Sequence, residues 1–392
     1  SGPTRRRQSE RAMGEVASVT RERAGEDEIL ARMRAAMAES GLDAVLPMSP
    51  ENVAYASGVA IPSQRTVRSR LAGCVIPREG ETDVVTVKLE APLVESRSRL
   101  DHVTAYEEFV QDPVEAIAES LRERGAGSGR VGIETTYLSV RHHESLRRCL
   151  PDARLEPIDD MLTVLRLIKT AGEIEAIRRI GAVAERIASE ACAGVRPGDT
   201  ERRLGNIIAE RYAAAGGDQL TMLVVGAGER SAHPNAPPTD RELRDGDVVR
   251  IDVIGTAGGY YSDVARTAVV GEPTPEQERI YGLLMDVHRR ALVALRPGAA
   301  SADVYRIYAE AMAEAGLPAY HFLGHGLGIT LHEEPFVNTL TSTRLQEGMV
   351  LCIEPLTMLD GRFGMQIEDE VLITADGCEP FTRAGEMLRI GG

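Results

Sequence analysis

Residues 246–271 read GDVVRIDVIGTAGGYYSDVARTAVVG. The pattern is two β-strands folded back on one another around the Gly258-Gly259 turn. The period of two puts Val248, Arg250, Asp252 and Ile254 on one face of the first strand. Asp252 is flanked by Ile251 and Val253, and Asp263 lies in the returning strand between Ser262 and Val264. Aspartate is disfavoured inside strands and costly when buried alone. A single such residue is most often at an edge or turn, but two on paired strands call for a partner.

Two later stretches repeat the anomaly. In GMVLCIEPLTML (348–359), Glu354 follows the apolar run Met349 to Ile353. In FGMQIEDEVLIT (363–374), Glu368 follows Ile367 in an expected strand continuing through Val371, Leu372 and Ile373. A fourth stretch, HFLGHGLGITLHEEP (321–335), holds His321, His325 and His332 among Gly324, Gly326 and Gly328. His321 and His325 are at helical spacing, but the alternating glycines argue against a regular helix. They favour a backbone that comes close to something bound.

Four carboxylates in apolar strands would repel one another in a core. Two divalent cations cancel them, and a neutral histidine from the glycine-rich loop completes the shell. The expected metal ligands are Asp252, Asp263, His325, Glu354 and Glu368. Oxygen ligands with one nitrogen favour manganese, cobalt or iron over zinc. Such metal pairs sit about 3.5–4 Å apart and acidify a bridging water into a nucleophile.

The rest of the chain frames this set. With 392 residues, two domains are expected. The net charge of -15 argues against a nucleic-acid partner. Five scattered cysteines form no C-x-x-C pair, and neither a membrane span nor a signal peptide is evident, so a cytoplasmic location is expected. Residues 1–24 read as a charged tail. Residues 25–165 alternate helix and strand, which predicts an α/β domain. LRLIKTAGEIEAIRRIGAVAERIASEACAGV (165–195) reads as one long helical pattern that stops at Arg196-Pro197-Gly198. The domain boundary is placed near its start, and every feature that suggests chemistry lies in residues 166–392.

These residues resemble the pita-bread metallohydrolases: Xaa-Pro aminopeptidases, prolidases, methionine aminopeptidases and creatinases. The resemblance is strongest from Arg166, at RLIKTAGEIEAIR, to Ile373. It implies an α+β pita-bread catalytic domain, two helix pairs around a curved antiparallel sheet, preceded by a creatinase-type α/β N-terminal domain. It implies that Asp252 chelates one metal, His325 and Glu354 hold the other, and Asp263 and Glu368 bridge the two. Glu354 resembles the proton shuttle and His332 the histidine that steadies the substrate carbonyl; His321 resembles a second pocket histidine. The implied enzyme is an Xaa-Pro aminopeptidase or dipeptidase-like hydrolase using a metal-bridging hydroxide on a small peptide. A homodimer is implied as well.

Two positions depart from the prolidase-like pattern. In SAHPNAPPTDR (231–241), Asn235 stands where histidine is usual, with His233 two residues away. Gln366 stands where prolidase-like enzymes carry arginine, two before the last glutamate; methionine aminopeptidases also have glutamine there. His233, Asn235 and Gln366 are therefore the candidate substrate-binding residues. The alternative reading is a metal-dependent non-peptide hydrolase or lyase for a small C–N or acid metabolite, or a creatinase-like enzyme, on the same fold.

Overall fold

A computed structural model describes residues 26–391; the tail expected over residues 1–24 lies outside them. Contacts divide the chain into two compact units, with the division in sequence between Arg166 and Leu167.

The first unit opens with helix Glu26–Ser40, which buries Ile29, Met33 and Met37, one per turn of a single face. Gly41 ends it with φ +69°, a conformation that costs glycine little. Six strands follow: β1 Ala44–Leu46, β2 Gly73–Pro77, β3 Asp83–Val87, β4 His102–Tyr106, β5 Arg130–Ile133 and β6 Arg154–Pro157. They form one sheet in the order β4-β3-β2-β1-β5-β6. β2 runs antiparallel to both neighbours, while the β3–β4, β1–β5 and β5–β6 pairs are parallel. The central strands are buried at every position, as apolar runs such as CVI and VVTV require of a sheet covered on both faces.

Among the described residues, the second unit has three sheets. β7 Gln219–Ala227, β8 Val248–Ala257 and β9 Tyr260–Val270 form an antiparallel meander, and β17 Leu388–Ile390 adds to the far side of β9. β10 Phe322–Gly326, β11 Glu333–Asn338, β12 Val350–Ile353, β15 Asp369–Ile373 and β16 Cys378–Pro380 form a second sheet in the order β11-β10-β12-β15-β16. β13 Leu356–Leu359 and β14 Phe363–Gln366 are a separate hairpin. Helices Ala171–Ala193 and Glu201–Ala214 supply one apolar cluster with the meander. Helices Pro275–Ala294 and Ser301–Glu314 supply another with the five-stranded sheet and the hairpin. The α+β architecture preceded by an α/β unit is thus observed.

Three details correct the sequence reading. The expected antiparallel sheet is three separate sheets, and the four-stranded one is not wholly antiparallel, because β17 pairs with β9 in parallel register. The long helical pattern is two helices, Asp159–Leu167 and Ala171–Ala193, broken at Ile168-Lys169-Thr170. There the Thr170 side chain accepts from Glu173 N while Glu173 accepts from Thr170 N, a reciprocal cap that starts a new helix. Glu368 is not inside one continuous strand; it lies in the crossing from β14 to β15, where its N–H donates to Ala265 O on β9. Among the described residues no helix is long and apolar enough to cross a membrane.

Candidate metal centre

Asp252 on β8 and Asp263 on β9 share a sheet face, because Asp263 pairs with Ile254 and Asp252 with Ala265. His325 comes from β10, Glu354 from the residue after β12, and Glu368 from the crossing into β15. Two sheets therefore bring the five together from positions spread over more than a hundred residues. His325 Nε2 lies 3.6 Å from Asp263 Oδ2, 3.5 Å from Glu354 Oε1 and 4.0 Å from Glu368 Oε1. All five residues are buried.

The electrostatics are those of a site built for cations. Burial, then the neighbouring carboxylates, raises Asp263 and Glu368 well above the ordinary carboxylate range. Burial raises Asp252 as well, and Arg250 partly opposes it. Glu354 is pushed up to about 8 by burial and by Asp252. Burial lowers His325 to about 3, so its ring is neutral. His325 Nδ1 lies 3.0 Å from Gly326 O, which fixes the proton on Nδ1 and leaves the Nε2 lone pair toward the carboxylates.

The donor set fits divalent metals on a direct observation. Asp252 Oδ1, Asp263 Oδ1, His325 Nε2 and Glu368 Oε1 are buried polar atoms with no hydrogen-bond partner. Such atoms are rare in a native interior and call for an ion or water. Asp263, His325 and Glu368 also fall in one group of potential ligand atoms with Cys352. Burial and the surrounding acids hold the Cys352 thiol well above its usual range, so it stays protonated and is a poor ligand.

The other expected site residues are more dispersed. The exposed His332 ring stacks on His325, with centroids 3.8 Å apart and planes at 28°. His321 is exposed just before β10. His233 and Asn235 are exposed in the loop after the short 3₁₀ turn Gly228–Ala232. Gln366 is buried and donates through Nε2 to Glu368 Oε2 at 3.0 Å and Glu354 Oε2 at 3.3 Å. Two glycines of the 321–335 stretch lie tightly against neighbouring strands. A Cβ on Gly324 would collide with Cys352 O, and one on Gly326 with the carbonyls of Glu333 and Glu334.

Several buried residues around the candidate ligands have no role in the sequence reading. Arg250 donates to Gln366. Arg266 donates to Glu368 O at 2.6 Å and Asp369 Oδ1 at 2.8 Å, and His288 Nε2 is 3.2 Å from Asp369 Oδ2. At Glu333, the residue after His332, Oε1 pairs with Lys169 Nζ at 2.5 Å, both side chains at most 4% exposed. Breaking a buried pair from one side typically costs about 3–5 kcal/mol. Lys169→Met is therefore expected to destabilise by that order in urea melts, with part recovered by adding Glu333→Gln. An unchanged midpoint in Lys169→Met would show that the pair does not hold this region.

This fold and donor set define a metallohydrolase. Residues 175–375 match the model of metallopeptidase family M24, and residues 29–168 match that of the creatinase/prolidase N-terminal domain. The chain belongs to metallopeptidase family M24. It is 33% identical over 355 residues to a probable dipeptidase PepE of Mycobacterium tuberculosis, covering 89% of this chain and 92% of that one. It is 32% identical to an Xaa-Pro dipeptidase of Pyrococcus furiosus, covering 90% and 97%. Among solved structures, dipeptidase PepE of Mycobacterium ulcerans aligns with a TM-score of 0.80 at 30% identity, over 94% of this chain and 99% of that one. The prolidase of Pyrococcus furiosus aligns with a TM-score of 0.78 at 29% identity, over 90% and 100%.

Proposed function

We propose that this chain is a dinuclear-metal dipeptidase that favours Xaa-Pro substrates, with catalysis in residues 166–392. The observation that carries the reading is the set of four buried, partnerless ligand atoms on Asp252, Asp263, His325 and Glu368. The names of the relatives, dipeptidase and Xaa-Pro dipeptidase, support the substrate class. Asp252 would hold one metal, His325 and Glu354 the other, with Asp263 and Glu368 between them. Bound there, the metals would neutralise the carboxylates and make a shared water acidic. The oxygen-rich set favours manganese, cobalt or iron.

The protein's own groups divide the remaining work. Glu354 takes a proton at a carboxylate oxygen from the attacking water and returns it to the leaving nitrogen. His332 stands beside His325 with an exposed ring, free to donate to the substrate carbonyl oxygen as negative charge grows on it. His321, His233 and Asn235 are the exposed polar side chains assigned to substrate binding, and Gln366 acts on the ligand carboxylates from behind. We place the enzyme in the cytoplasm as a homodimer. Five free cysteines support the first assignment and the family resemblance supports the second; light scattering tests the dimer.

The deciding experiment is a substrate panel with manganese-, cobalt-, iron- or zinc-loaded protein. It comprises Xaa-Pro dipeptides, longer Xaa-Pro peptides, non-proline dipeptides and creatine-like amidines. The expected result is highest kcat/KM on dipeptides, with Xaa-Pro preferred. Turnover of an amidine with no peptide cleaved would overturn the assignment and favour the non-peptidase alternative.

A further inference from the structure

Arg250 is the third residue of β8, two before Asp252, and is 1% exposed. A charge that deep is costly unless its hydrogen bonds are made. Here Nε donates to Ser231 O at 3.1 Å, and Nη2 to His233 O at 2.5 Å and to Pro234 O. Nη1 donates to Gln366 Oε1 at 2.7 Å and lies 4.0 Å from Asp252 Oδ2. One guanidinium thus gathers the carbonyls of Ser231, His233 and Pro234, from the end of the 3₁₀ turn into the loop bearing Asn235, together with the amide oxygen of Gln366.

The Gln366 amide is oriented as a consequence. A guanidinium has only donors, so the amide must turn its oxygen to Arg250 and its nitrogen to the opposite side. That nitrogen donates to Glu368 Oε2 and Glu354 Oε2. The loop is also gripped from the hairpin: Gly364 N donates to Ser231 Oγ at 2.9 Å, and Ser231 Oγ donates to Gly228 O at 2.6 Å. A continuous chain of hydrogen bonds therefore runs from the loop carbonyls through Arg250 and Gln366 to two ligand carboxylates.

We propose that Arg250 is a positioning residue that ties the 231–235 loop to the metal-ligand carboxylates through Gln366, so that filling the metal centre orders the substrate-side loop. The proposal rests on the metal reading above and makes the loop's order, hence substrate affinity, depend on the state of the carboxylates. Arg250 itself touches neither substrate nor metal.

Hydrogen–deuterium exchange across residues 231–235, with manganese titrated into metal-free protein, tests this without any substrate. In wild type, metal is expected to slow exchange in the loop at least about fivefold. In Gln366→Met, which keeps the loop's own bonds to Arg250 but cuts the link to the carboxylates, metal is expected to leave loop exchange unchanged. Calorimetry should show metal affinity reduced about 10–100-fold, the usual cost of losing an outer hydrogen bond to a ligand. Arg250→Lys keeps a charge but lacks the planar fork. It should speed loop exchange in both metal states and raise KM more than it lowers kcat. The double variant Arg250→Lys with Gln366→Met should bind metal no more weakly than Gln366→Met alone.

A wild-type loop indifferent to bound metal, or additive losses in the double variant, would overturn the proposal. Absence of metal uptake by wild type would overturn it too, by removing the metal reading on which it rests. The Gln366→Met comparison leaves Arg250 in place, so it decides the matter even if the Arg250 variants fail to fold.

Discussion

Glu354→Gln is expected to lower kcat at least about a hundredfold, since positioned acid–base groups typically contribute 10²–10⁴. The substitution preserves shape at a crowded point. Glu354 Oε1 is 3.5 Å from His325 Nε2, and Oε2 accepts from Gln366 Nε2 at 3.3 Å. An amide there keeps the volume and can still accept from Gln366 Nε2 through its oxygen, but it cannot take a proton. The change also removes one negative charge from the ligand set, so metal content must be measured beside turnover. Steady-state kinetics with elemental analysis separates the two effects: a low kcat with both metals retained isolates the proton transfer. Near-normal kcat at full metal content would remove Glu354 from the shuttle role, leaving it a ligand only.

What made these positions legible was conflict between residue type and context. Asp252, Asp263, Glu354 and Glu368 each sit in or beside an apolar strand where a lone carboxylate would be penalised, and the structure buries all four, with Asp263, Glu354 and Glu368 within 4.0 Å of His325 Nε2 and Asp252 against Asp263. Arg250 offered the same conflict in VVRIDVIG, but its meaning depends on partners that local pattern cannot supply. One is an amide 116 positions away, and three are backbone carbonyls of an irregular loop. Arg362, four residues before Gln366, does not take the place of an arginine at that position. It is instead exposed and paired with Glu276. The glycines at Gly324 and Gly326 show a related ambiguity. A glycine reports that something comes close without saying what, and here it is the neighbouring strands. The break between the helices Asp159–Leu167 and Ala171–Ala193 was readable in principle. Thr170 and Glu173 have the spacing of a capping box, yet the apolar periodicity runs on through it and masks the stop.

Removing the metals is expected to abolish peptidase activity and to make the stability of the protein strongly pH-dependent. The direction follows from the carboxyl groups. Burial first and mutual repulsion second raise Asp263 and Glu368 above the ordinary range, and Glu354 is raised to about 8. An acid whose folded value is raised holds its proton in the folded chain at pH values where the unfolded chain has released it. Its contribution is full below the unfolded value, near 4.3 for glutamate, and is lost as pH rises through the folded value. Metal-free protein should therefore melt at progressively lower temperature between about pH 5 and pH 8. Metals take the place of those protons, so the Tm gap between loaded and metal-free protein should widen over the same interval. Each tenfold difference in proton affinity between folded and unfolded chain is worth about 1.4 kcal/mol. With roughly 2–4 °C of Tm per kcal/mol in a domain of this size, the gap should grow on the order of 5–10 °C. Calorimetric melts at pH 5.5 and 8 measure it, and restored activity with manganese, cobalt or iron closes the comparison. A gap that stays constant with pH would mean that the four carboxylates are not the groups metals neutralise. Full activity in protein shown by elemental analysis to be metal-free would end the two-metal reading altogether.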